Sequence, residues 1–99
     1  MNLTISFRHM DSTPSLEEKI KDKAGHLKKY FKGKVDIEWV CSVEGEGHLS
    51  KIAVHAGKNY FHAEAADENL YKTFDQALSK VERQIRKKHS QLKDHLHSA

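Results

Sequence analysis

The chain is short of the residues that most often announce chemistry or compartment. Among its 99 residues there is one cysteine, Cys41, so no internal disulfide can form. No apolar run approaches the length of a membrane span, which argues against a transmembrane protein. The opening residues MNLTISF lack a basic region followed by a long apolar stretch, so no signal peptide is expected and the protein is predicted to be cytosolic. Paired acids in a catalytic context, a glycine-rich phosphate loop and a Ser/His/Asp arrangement are all missing, so an enzyme is not expected. A single proline and five glycines leave little room for linkers or low-complexity segments, and one domain over residues 1–99 is predicted. With 37% hydrophobic residues the chain can still build a modest core, which excludes a disordered tail.

What is present is charge, unevenly placed. The net charge is only +3, but residues 79–93 hold six Lys or Arg against the single acid Glu82. Residues 14–34 hold seven Lys against three acids, whereas residues 35–67 hold two Lys against six acids. Both basic stretches have helical periodicity and the acidic one has strand periodicity. A bipolar molecule follows, with a basic helical side and an acidic sheet side, suited to docking on a polyanion in one orientation.

The elements can be read in order. Leu3, Ile5 and Phe7 alternate along a first strand. Thr13 is a plausible N-cap with Pro14 at the first helical position, opening a helix that should run to about Phe31 with Gly33 as its stop. Its apolar stripe is Leu16, Ile20, Ala24, Leu27 and Phe31. Val35, Ile37, Trp39, Cys41 and Val43 alternate along the clearest strand, and a turn is expected over Gly45–His48. A hairpin follows, read with a Lys58–Asn59 turn that sets Ala56 opposite Phe61, Val54 opposite Ala63 and Ile52 opposite Ala65. This register makes His55 and His62 direct neighbours. From Asp67, read as an N-cap, a second helix carries Leu70, Phe74, Leu78, Val81, Ile85 and Leu92 on one stripe to about residue 96. The predicted fold is α+β: a β-α-β-β-β-α sandwich, a four-stranded mixed sheet with two helices on one face. The open sheet face should carry Thr4, Ser6, Asp36, Glu38, Ser42, His55, His62 and Glu64, too polar and acidic for a nucleic-acid platform.

On a helical wheel Lys72, Gln76, Lys80, Arg83 and Lys87 fall within about 80° of one another, opposite the apolar stripe. Four cations stepping along one face match a phosphate backbone better than a single small anion, although a plain solvated surface is the competing reading. Arg86, Lys88 and Lys93 flank the row. Lys19, Lys23, His26 and Tyr30 follow one flank of the first helix, which could frame a basic groove if it faces the second helix. His55 and His62 could supply two metal ligands, but no supporting motif accompanies them. Cys41 falls between Trp39 and Val43 on the inward face and reads as core filler.

Particular residues then resemble a known family. Asn2-Leu3-Thr4-Ile5, the first-helix set Thr13, Leu16, Lys23, Leu27 and Tyr30-Phe31, the segment Asp67-Glu68-Asn69-Leu70-Tyr71 with Asp75, and Lys80-Val81-Glu82-Arg83-Gln84-Ile85 with Lys87 and Lys93 are similar, in order and spacing, to the ribosome hibernation-promoting factor family (protein Y, ribosome-associated inhibitor A). His26 stands where some relatives have Lys, and Lys88-His89 swaps a His-Lys order. The resemblance implies a non-enzymatic short-form factor that binds the small ribosomal subunit (16S rRNA) at the decoding region used by mRNA and by A- and P-site tRNA, blocking translation and preserving idle ribosomes. By position, the rRNA contacts it implies are Lys23, Lys80, Arg83, Lys87 and Lys88. It implies no cofactor, no metal, no DNA, no membrane and no small-molecule substrate. The alternative reading is a general double-stranded-RNA-binding module, which would have one helix before three strands and no leading parallel strand.

Overall fold

The alternation of Leu3, Ile5 and Phe7 forms strand β1 (Asn2–Arg8), which lies at one edge of a four-stranded sheet and pairs in parallel with β2 (Asp36–Glu44). The crossover between them is helix α1 (Pro14–Gly25) followed by a 3-10 stretch over His26–Tyr30. β2 pairs antiparallel with β3 (Gly47–Ala56), and β3 with β4 (Asn59–Asp67). Helix α2 (Leu70–Ser98) then returns across β3 and β4. The computed structural model describes the backbone of residues 1–98 and the side chains of residues 1–89, so Leu92, Lys93, His95 and His97 fall outside the described side chains.

The two helices bury their stripes against one face of the sheet. Ile20, Ala24 and Leu27 come from the first helical segment and Phe74, Val81 and Ile85 from α2, meeting Ile37, Trp39, Cys41, Ile52 and Val54 of the sheet. The Trp39 and Phe74 rings stand edge to face with centroids 5.7 Å apart, an arrangement the ring quadrupoles favour. A buried polar chain crosses this core. Cys41 Sγ lies 3.8 Å from Ser50 Oγ, Ser50 Oγ lies 2.7 Å from Thr73 Oγ1, and the Thr73 hydroxyl donates to the Leu70 carbonyl. These bonds tie β2 and β3 to the first turns of α2. Burial pushes the Cys41 thiol above its usual pKa, which suits a packing role and opposes a nucleophilic one.

Four details depart from the sequence-based expectation. The first helix keeps its Thr13 cap, whose hydroxyl accepts the Leu16 N–H at 3.2 Å. However, its α turns end at Gly25 rather than at Phe31. Glycine is a poor interior helix former, and the chain tightens there into 3-10 geometry before Phe31 becomes extended. Gly33 is not the stop.

The N-cap of α2 is Asn69, not Asp67. Asn69 Oδ1 accepts the Tyr71 N–H at 2.9 Å, while Asp67 ends β4 and its carboxylate accepts from the Asn69 N–H and from Gln76 Nε2. Those donors, the Asn69 N–H first, hold the Asp67 carboxyl below the usual carboxylate range.

The β3–β4 hairpin turns at Gly57–Lys58, with Ala56 opposite Asn59, Val54 opposite Phe61 and Ile52 opposite Ala63. Gly57 has φ +62°, the left-handed conformation that a tight two-residue hairpin favours and that glycine adopts without strain. The expected register is thus off by two residues. A two-residue slip preserves the side-chain faces, so the inward set survives while the cross-strand partners change. His55 accordingly faces Tyr60, and His62 faces Ala53. The preceding turn is likewise only two residues, Gly45 and Glu46.

On the open face, Thr4, Ser6, Asp36, Glu38, His55, His62 and Glu64 are exposed as expected, but Ser42 is buried. Its β-ladder neighbours are Arg8 and Leu49, and its hydroxyl donates to Glu44.

Candidate nucleic-acid interface

Burial of Phe74, Val81 and Ile85 fixes the rotation of α2, and with it the direction of each cation among its described side chains. Lys72, Lys80, Arg83, Arg86, Lys87 and Lys88 are all exposed. The single acid of residues 79–93, Glu82, is turned away from Lys80, Arg83 and Lys87. It is half-buried against the first helical segment, where its carboxylate accepts the Tyr30 hydroxyl at 2.8 Å and stands 3.7 Å from Arg86. Among the described residues the outward face of this stretch is therefore free of negative side chains. That follows from where the apolar residues fall, since Leu78 and Ile85, four residues before and three residues after Glu82, are both buried and draw it to the flank of the core.

The five residues implied by the resemblance divide into groups. Lys80, Arg83 and Lys87 share the outer face. Lys80 is anchored there: its ammonium donates to the Glu64 carbonyl of β4 at 3.0 Å, which leaves two donor hydrogens for another acceptor. Arg83 and Lys87 have no hydrogen bond or ion pair among the described residues. Lys88 is exposed too, but about 100° round the helix from Lys87. Lys23 stands apart, on α1, with its ammonium paired to Asp75 of α2 and its side chain only 20% exposed. The flank of the first helical segment carrying Lys23 and Tyr30 does face α2. The groove between the helices is not simply basic, because Asp75 and Glu82 line it opposite those two residues. Lys19 and His26 are exposed.

Two residues that matter to this surface were not singled out as site residues from sequence. Glu82 organises the inter-helix flank. Partial burial and then the Glu82 carboxylate raise the Tyr30 hydroxyl above its ordinary pKa. Gln84 clamps the edge of β4: its amide nitrogen donates to the His62 carbonyl at 2.6 Å and its amide oxygen accepts the His62 N–H at 3.3 Å. The signal available for Gln84 was its offset of four residues from Lys80, which places both over the same strand edge.

The histidine reading changes with the register. His55 and His62 flank Tyr60, with ring centroids 4.5 and 5.4 Å from it. They form an aromatic ladder, and among the described residues no group of three or more His, Cys, Asp or Glu is arranged to hold a metal.

The geometry can be set beside known proteins. A family model described as "Sigma 54 modulation protein / S30EA ribosomal protein" matches residues 3–93. The chain is 30% identical over 95 residues to the ribosome hibernation promoting factor of Escherichia coli K12, covering 96% of this chain and all of that one. It is 28% identical to the Salmonella typhimurium protein of the same name over the same shares. The Bacillus subtilis ribosome hibernation promotion factor is 28% identical over 90 residues, but these span only 48% of that longer protein. Among solved structures, the N-terminal domain of Thermus thermophilus Protein Y superposes with a TM-score of 0.81 at 23% identity, covering 88% of this chain and 98% of that domain. A ribosomal subunit interface protein from Coxiella burnetii gives 0.79 at 19% identity, covering 91% and 99%. These two share the fold, with its leading parallel strand, which the double-stranded-RNA module lacks. With a family model spanning nearly the whole sequence and relatives matched over their full length, the chain belongs to the Sigma 54 modulation protein / S30EA ribosomal protein family.

Proposed function

We infer that this protein is a ribosome hibernation factor: a non-enzymatic binding factor that docks the outer face of α2 on the 16S rRNA of the small subunit, in the decoding region used by mRNA and by A- and P-site tRNA. Occupying that channel blocks translation and preserves the idle ribosome in the cytoplasm. The observation that carries this reading is the row Lys80, Arg83 and Lys87, exposed on the side of α2 away from the core with no acid beside it among the described residues. Each contact between such a cation and a phosphate releases condensed counterions, so the row supplies affinity without reading sequence. Selectivity for one channel must then come from shape. A helix 29 residues long, roughly 43 Å at 1.5 Å per residue, and packed on the sheet from Leu70 to Ile85, offers a shape that flexible basic peptides do not. Lys23 joins the site, on this reading, by exchanging Asp75 for a phosphate.

Co-sedimentation tests the proposal. The protein should pellet with purified small subunits at low salt, be released as salt rises, and be displaced by mRNA together with tRNA. Recovery in the free fraction at low salt would overturn it. Equal affinity for a plain RNA duplex would favour a general duplex-binding module instead.

A further inference from the structure

The sheet has two edges, and the chain treats them differently. The β4 edge is covered: Gln84 occupies both backbone groups of His62 and Lys80 occupies the Glu64 carbonyl. The β1 edge has no such guard among the described residues. From Asn2 to Phe7 the strand carries no charge, no proline and no bulge, the devices that usually keep an edge from pairing.

Which backbone groups are free can be derived. The Asn2 N–H donates to the Val35 carbonyl at 2.9 Å, so in this parallel ladder the even-numbered residues of β1 turn their N–H and C=O toward β2. Leu3, Ile5 and Phe7 then direct theirs outward, away from the sheet. Their side chains, packed against the core, remain only half-buried.

We propose that this edge is a self-association surface, on which a second copy of the chain pairs its own β1 antiparallel about a two-fold axis through Ile5. The occupant is indicated by self-complementarity. Leu3-Thr4-Ile5-Ser6-Phe7 reads the same in both directions as apolar, hydroxyl, apolar, hydroxyl, apolar. Centred on Ile5, the pairing sets Leu3 against the partner's Phe7 and Ile5 against the partner's Ile5, so that outward donors meet outward acceptors. Thr4 falls opposite the partner's Ser6 on the open face, a favourable hydroxyl pair. The ends match in charge: the partner's Arg8 comes opposite Asn2, whose side-chain amide already donates to Asp36 at 2.9 Å. Each arginine thereby gains an acid one strand further on. Antiparallel pairing keeps the faces, so the result is an eight-stranded sheet with all four helices, and both basic rows, on one side. The surface is separate from the α2 row, and the proposal does not depend on ribosome binding.

Charge at positions 4 and 6 tests it, because both side chains are exposed and outside the core. In sedimentation velocity across a concentration series, the parent should shift toward twice the monomer mass. A Thr4→Lys/Ser6→Lys variant and a Thr4→Glu/Ser6→Glu variant should each remain monomeric, since like charges then face each other across the two-fold. Mixed in equal amounts, the two should restore the doubled mass. Circular dichroism of each variant checks that the fold is kept, and recovery of the dimer on mixing shows that both are folded. A parent that stays monomeric up to millimolar concentration overturns the proposal, as does dimerisation of either charged variant on its own. Failure of the mixture to associate overturns the register.

Discussion

On the flank of α2 that faces the first helical segment, charges are answered within the fold: Asp75 by Lys23, and Glu82 by the Tyr30 hydroxyl and by Arg86. On the outer flank Lys80, Arg83 and Lys87 stand in a row, and among the described residues no acid joins them and only Lys80 is held, by a backbone carbonyl. The two flanks differ by less than half a turn of one helix. What separates a structural cation from an available one is thus angular position relative to the buried stripe, not local charge density. Lys23 and Arg83 look equally basic in the sequence, yet one is spent on the inter-helix contact and the other is presented to solvent.

The comparison can be broken most severely by charge reversal. Arg83→Glu with Lys87→Glu puts two acids into the row and should weaken small-subunit binding on the order of a hundredfold at low salt. Thermal stability should barely change, because neither side chain is buried.

Glu82→Ala should do the reverse. It removes the acceptor of a part-buried hydrogen bond, and should lower stability by about 1–3 kcal/mol in urea unfolding. Binding should hold or rise slightly, since the variant deletes the only acid of residues 79–93.

Lys23→Ala is milder. Its partner Asp75 has a side chain 63% exposed, so the loss should be at most about 1 kcal/mol. A fall in the salt dependence of binding as large as that of Arg83→Ala would mean that Lys23 does leave Asp75 for a phosphate.

The smallest effect concerns pH. The folded state raises the Tyr30 pKa above the unfolded value of 10.0, so folding favours the protonated phenol. That stabilisation is complete below pH 10 and is lost as pH rises through the folded pKa. Tyr30→Phe should show a shallower fall in melting temperature above pH 10 than the parent. An identical fall in both would remove Tyr30 from the account.

Much of this was legible in the sequence because periodicity encodes faces. The alternation of Ile37, Trp39 and Cys41, and the spacing of Phe74, Val81 and Ile85, place the core and so place the outer cations. Partners were less legible. The hairpin was misregistered by two residues because alternation repeats every two and leaves such a slip undetected. Only the left-handed requirement at Gly57 decides it. The Asn69 cap was missed because Asp67 is an equally good capping type two residues earlier. The Lys23–Asp75 pair and the Tyr30–Glu82 hydrogen bond depend on which side of the first helical segment turns toward α2, and no one-dimensional pattern carries that.

The central claim is that the outer face of α2, and not the sheet, meets the phosphates. It is tested most directly by the slope of log affinity for small subunits against log salt. The slope would be measured for Lys80→Ala/Arg83→Ala/Lys87→Ala and for the open-face control Asp36→Ala/Glu38→Ala/Glu64→Ala. If each of the three cations contacts a phosphate, the first variant's slope should fall by roughly two units, about 0.7–0.9 per contact. The control should bind as the parent does or slightly more tightly, because it loses only long-range repulsion. A parental slope in the helix variant, together with lost binding in the sheet variant, would contradict the assignment of the face.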